Sequence, residues 1–199
     1  MPLDIELIKD WIDALESGKY AQGRGVLRTK DDRFCCLGVL CALTPAGVWS
    51  LTPDDVWDTA TRDDVYVYAK DEEEKNNVST AIAFVTLSIA SKLGGYTRVG
   101  ITYKEPEPRV DVLLSVPPWL VSKFLEEYYR KLKEQNEYEY DEDGTFGPVA
   151  EEEDLFGDIN DYMREGSEVH IEATKLNDNM SLTFKEIAEC VRYTFRSFL

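Results

Sequence analysis

Histidine is almost missing from this chain: His170 stands alone among 199 residues. That excludes zinc sites with more than one imidazole, and any cysteine–histidine nucleophile would have to use this one ring. Positive charge is scarce as well, with 22 Lys and Arg against 39 Asp and Glu, a net charge of −17. Such a field repels a phosphate backbone and argues against direct nucleic-acid binding. No apolar run approaches the ~20 residues of a membrane span. The opening Met1-Pro2-Leu3-Asp4 is acidic where a secretory leader would be basic and then apolar. The chain therefore reads as soluble and cytosolic, with no membrane partner. The glycines of Tyr20-Ala21-Gln22-Gly23-Arg24-Gly25 lack the preceding buried strand and the Lys-Ser/Thr ending of a phosphate loop.

What is present is enough for a core. At 43% hydrophobic over 199 residues, the chain fits one domain, 1–199, with an insertion, and needs no disulfide or metal for stability. Cys35, Cys36 and Cys41 crowd into one stretch and Cys190 lies far away, which is no disulfide framework. Residues 34–41, Phe-Cys-Cys-Leu-Gly-Val-Leu-Cys, carry no charge. As a helix this stretch is apolar nearly all round and so buried, closed by Thr44-Pro45. Gly38 in its middle costs roughly 1 kcal/mol against alanine, which predicts another element crossing there at close range.

Helical spacing predicts helices over residues 4–17 (Ile5, Ile8, Ile12, Leu15, with Trp11 beside them), 78–93, from Pro117-Pro118 onward (Leu120, Phe124, Tyr128, Leu132), and from Thr183 to Phe198. Thr183 and Glu186 have the form of a capping box. Thr52-Pro53-Asp54-Asp55 has the form of another helix start. Alternation predicts strands over residues 25–28, 64–70, 96–103, 110–114 and 168–174, with Leu176-Asn177-Asp178-Asn179 as a turn. Together these give an α+β fold: a small mixed or antiparallel sheet packed by the N-terminal, Cys-rich and C-terminal helices.

Residues 134–165 form an acidic insertion, with thirteen Asp and Glu against Arg164 alone. The segment thus holds −12 of the net charge. Glu139, Asp141, Asp143, Glu151, Glu152, Glu153 and Asp154 form its densest part, a contact surface for a partner that is basic or itself binds nucleic acid. Its Phe146, Leu155, Phe156, Ile159, Tyr162 and Met163 are more apolar mass than a spacer needs. Glu139-x-Asp141-x-Asp143-Gly144 also resembles a calcium loop, with Glu in the first position, Ala150 in the twelfth and Glu151 one residue late. Ca²⁺ is the only cofactor the sequence suggests, and a solvated acidic run is the competing reading.

The other chemical candidates are few. Zinc on Cys35, Cys36, Cys41 and His170 has the ligand count but poor spacing, because adjacent cysteines inside an apolar helix do not make an open turn. Asn177 and Asp178, with Ser181 and Thr183 at a helix start, could hold a small ligand or anion; turn formation and helix capping explain the same residues.

Two blocks carry a resemblance. Trp11-Ile12-Asp13-Ala14-Leu15, Ser17-Gly18, Tyr20 and Gln22-Gly23, running into Cys35-Cys36-Leu37-Gly38-Val39-Leu40-Cys41, resemble the opening of a family of small uncharacterised proteins from tailed bacteriophages and prophages. Leu176-Asn177-Asp178 followed by Phe184-Lys185-Glu186-Ile187-Ala188 resembles that family's ending. Residues 62–166 have no counterpart beyond Val116-Pro117-Pro118-Trp119-Leu120. The resemblance implies a phage-encoded accessory protein in the host bacterial cytoplasm, and it brings no activity, substrate or cofactor. Binding a host protein through the acidic surface is one expectation. A small-molecule binder or enzyme, with its site between the two terminal blocks, is the other. Oligomeric state stays open.

Overall fold

The computed structural model describes residues 3–44, 47–52, 65–69, 93, 97–100, 109–136 and 169–199. It divides into two compact units, Met1–Leu114 with Ile171–Leu199, and Ser115–His170. The fold is α+β. No helix among the described residues is long and apolar enough to cross a membrane.

Helix α1, Ile5–Glu16, starts where the Asp4 carboxylate accepts from the Leu7 N–H at 3.1 Å. It stops where Ser17 Oγ donates to the Ala14 carbonyl and Gly18 takes φ +70°. Its buried face is Leu7, Ile8, Trp11, Ile12, Ala14 and Leu15. Trp11 is central to that face: it is fully buried, and its indole N–H donates to the Cys36 carbonyl at 3.0 Å.

Three two-residue strands follow in sequence, β1 (Ala21–Gln22), β2 (Arg28–Thr29) and β3 (Arg33–Phe34). Beyond helix α2 come β4 (Val48–Thr52) and β5 (Val65–Ala69). They form a mixed five-stranded sheet of order β1-β3-β2-β5-β4, in which only β1 and β3 run parallel. The β5 strand was expected. Thr52 closes β4, and the helix expected to start at Thr52-Pro53-Asp54-Asp55 falls on residues 53–64, outside the described residues, as do 78–92 of the expected second helix; Leu93 is helical and fully buried.

Helix α2, Cys36–Leu43, begins two residues later than the uncharged stretch, because Phe34 belongs to β3 and Cys35 is the cap. The Cys35 sulfur accepts from the Gly38 N–H at 3.3 Å. Cys36, Leu37, Gly38, Val39, Leu40 and Cys41 are all buried. The element expected to cross at Gly38 is the backbone of Leu27: a β carbon on residue 38 would stand 1.8 Å from the Leu27 carbonyl oxygen. That same oxygen accepts from the Cys35 N–H at 3.2 Å. At the other end, Thr44 Oγ1 donates to the Leu40 carbonyl, and the Tyr68 hydroxyl donates to the Thr44 carbonyl and accepts from the Gly47 N–H.

A second sheet has the order β6 (Thr97–Gly100), β7 (Arg109–Ser115), β8 (His170–Glu172), with β6 and β7 antiparallel. Strand β8 ends earlier than alternation predicted. Ala173–Asp178 is helix α3, so Leu176-Asn177-Asp178 is helical and not a turn. The reason is that Ala173, Leu176 and Asn177 are buried together at helical spacing, and this period takes over where Val169, Ile171 and Ala173 had continued the alternation. Helix α4, Phe184–Phe195, buries Phe184, Ile187, Ala188, Cys190, Val191, Thr194 and Phe195. It ends before Phe198, which is exposed. Helix α1 packs on α2 and α4, and α3 packs on the same two helices.

The second unit contains the helix Pro118–Asn136. It buries Leu120, Val121 and Phe124 while Trp119 stays exposed, and the Val116 N–H donates to the Val169 carbonyl at 2.8 Å.

Gly38→Ala should be among the most damaging single changes. No rotation relieves a clash between a β carbon and a backbone carbonyl, so urea unfolding is expected to show a loss of about 3 kcal/mol or more, or no folded protein at all.

Candidate functional site

The two terminal blocks meet at a pair of side-chain amides. Gln22 sits on β1 and Asn177 on α3, and the Gln22 Nε2 donates both to Asn177 Oδ1 at 3.0 Å and to the Leu182 carbonyl at 2.6 Å. Gln22 Oε1 accepts from the Phe184 N–H at 3.2 Å, the first residue of α4. The Asn177 Nδ2 donates to the Gly23 carbonyl at 2.9 Å and to Asp178 Oδ1 at 2.5 Å. Asn177 is fully buried. Both donors and the acceptor of each amide are therefore engaged within the chain. The junction fastens strand β1 to α3 and to the start of α4.

Asp178 is half-buried beside Asn177, whereas Ser181 is exposed with φ +57° in the link to α4. Thr183 is the N-cap of α4 in a complete capping box. Glu186 Oε2 accepts from the Thr183 N–H at 2.9 Å, and Thr183 Oγ1 accepts from the Glu186 N–H at 3.3 Å. The negative charge that a helix start favours is thus supplied by Glu186. An incoming anion would compete with that carboxylate.

All four cysteines are free and buried. Cys36 Sγ donates to the Ala173 carbonyl at 3.3 Å, which ties α2 to α3. Burial pushes the Cys41 thiol far up, with Cys35 adding to the effect. Burial also pushes Cys190 up to about 12, helped by the nearby Glu186 and Glu189 carboxylates. A thiol held in its protonated form is a poor nucleophile and a poor metal ligand. In the second unit, His170 Nδ1 lies 3.1 Å from Ser115 Oγ, with the serine buried and the histidine exposed. Among the described residues, no three His, Cys, Asp or Glu side chains are grouped to hold a metal ion. Glu139, Asp141, Asp143, Glu151, Glu152, Glu153 and Asp154 lie outside the described residues.

Sequence reasoning missed an aromatic run across the five-stranded sheet. Tyr20, Phe34, Trp49 and Tyr68 follow one another with ring centroids 5.2, 6.0 and 5.2 Å apart. The Arg28 guanidinium lies over Phe34 at 5.2 Å and over Trp49 at 5.5 Å, and is held by Asp32. Its members come from four separate segments, and only the register Arg28↔Phe34 and Trp49↔Tyr68 brings them to one face.

A family model described as a domain of unknown function (DUF8296) matches residues 3–87. The match takes in α1, the five-stranded sheet and α2. No curated protein and no solved structure matches the chain.

Asn177→Ala would leave the buried Gly23 carbonyl without this donor and the half-buried Gln22 amide with only the Leu182 carbonyl as acceptor. Urea unfolding should show a loss of about 2–3 kcal/mol, and the Gln22→Ala, Asn177→Ala double variant should lose less than the sum of the singles. The thiols predict a pH dependence of the opposite sense to a carboxylate's. Unfolded Cys190 ionises near its ordinary 9.0 and the folded one near about 12. Stability is therefore full below pH 9 and declines as pH rises towards about 12. The urea midpoint should fall between about pH 8 and about pH 10.5, and fall less steeply in Cys190→Ala.

Proposed function

We propose that the protein is a phage-encoded accessory protein that acts in the host cytoplasm by binding a host component, in host takeover or counter-defence, and not by catalysis. The observation that carries this reading is the uneven charge: thirteen acids against one arginine over residues 134–165. A surface of that density recognises a basic protein, and one version is mimicry of DNA, with carboxylates standing where phosphates would. Support also comes from the resemblance of the terminal blocks to phage proteins. The burial of every thiol further removes the nucleophiles that the cysteine-rich stretch first suggests. The competing reading, a ligand site between those blocks, would need open polar groups at the Gln22–Asn177 junction, where both amides already serve the fold.

The test compares the full chain with a form lacking residues 137–154 as bait in a bacterial host extract. The full chain should retain a nucleic-acid-binding protein that is released by raised salt or by added duplex DNA, and the shortened form should retain none. Retention that ignores both the deletion and the salt would count against the acidic surface. A small molecule that co-purifies equally with both forms would favour the competing reading.

A further inference from the structure

Five cations stand against two carboxylates over residues 18–34, in a chain whose net charge is −17. Arg28 is paired with Asp32. Lys19, Arg24 and Arg33 are different: all three are exposed, and none takes part in an ion pair among the described residues. The fold gathers them. Ala21 and Arg33 are partners in the parallel ladder of β1 and β3, so Lys19 lies two positions from Arg33's partner. The Gly23 N–H donates to the Phe34 carbonyl at 2.8 Å, and a β carbon on Gly23 would stand 2.9 Å from that of Arg33, which places Arg24 next along the same edge. Like charges brought together in this way repel one another, and an anionic partner relieves the repulsion.

The chemistry of the surroundings narrows that partner. Cations already cover one face of Tyr20, Phe34 and Trp49, which removes ring faces on which nucleic-acid bases would stack. Carboxylates on a peptide suit exposed lysine and arginine without needing those rings. One such peptide accompanies every copy of the protein at equal concentration, namely the segment 137–165.

We infer that the Lys19–Arg24–Arg33 edge of one copy docks the acidic segment of a second copy, giving a salt-sensitive pair. Two reciprocal contacts close it as a twofold dimer. The inference shares with the proposed function only the premise that the acidic segment is a contact surface. It adds that the segment has a partner site on the same protein, which a host target would have to displace.

Sedimentation velocity of the full chain tests it. The wild type should pair at about 50 mM salt and separate at about 500 mM. The triple variant K19E/R24E/R33E should be monomeric at low salt, and so should a variant with amides at positions 139, 141, 143 and 151–154. Circular dichroism melts serve to confirm that both are folded. An equimolar mixture of these two monomeric variants should form a one-to-one complex, because one of them keeps the basic edge and the other keeps the acidic segment. A wild type that stays monomeric at both salts, a variant that pairs like the wild type, or a mixture that stays monomeric would overturn the inference. Capture from host extract, run alongside, separates the two proposals. If pairing behaves as expected and no form retains a host protein, the host-binding reading falls and the pairing stands.

Discussion

The carbonyl of Leu27 lies where residue 38 would carry a side chain, and much of the first unit follows from that approach. It accepts from the Cys35 N–H, so the same oxygen both holds the entry to α2 and lies against its first turn. Once α2 is held there, its Cys36 carbonyl is fixed as the acceptor for the Trp11 indole and its Cys36 thiol as a donor to Ala173. Three elements distant in sequence are thereby aligned on one short helix. Hydrophobic burial supplies most of the stabilisation, but burial alone would allow α2 to rotate, since it is apolar nearly all round. The directional contacts select one rotation.

The amide junction of Gln22 and Asn177 does for the strand what Leu27 does for the helix. Strand β1 is only two residues long, and its backbone ladder reaches only β3. The side chain of Gln22 adds bonds to α3, to Leu182 and to the first residue of α4. A polar pair in the core would be costly if any of its groups lacked a partner, so its completeness makes it a device for specifying one arrangement.

Much of this is legible in the sequence. The α1 and α4 stripes, the capping box of Thr183 and Glu186, the strand before Lys70 and the crossing at Gly38 all follow from local pattern or from a glycine in an unfavourable place. The short strands β1 and β3 were not legible, because two residues carry no period. Helix α3 was misread because Val169, Ile171 and Ala173 continue an alternation that Ala173, Leu176 and Asn177 break at helical spacing. The partnership of Gln22 with Asn177 spans 155 positions, and no local rule reaches that far. Its one trace was that each residue sits inside one of the two terminal blocks. The acidic segment is the reverse case, plain in composition and outside the residues the structure describes.

The matched family region ends at residue 87, yet the face of α1 is completed by α4, and Arg192 of α4 reaches Glu16 across 176 positions. An emerging chain can therefore set α2 against α1 early, but the part of the α1 face that α4 covers stays open until the last residues are made. During that interval the ribosome, a chaperone or a neighbouring nascent chain must tolerate a half-covered apolar face. Synthesis of this protein should thus draw on chaperones more heavily than its size would suggest.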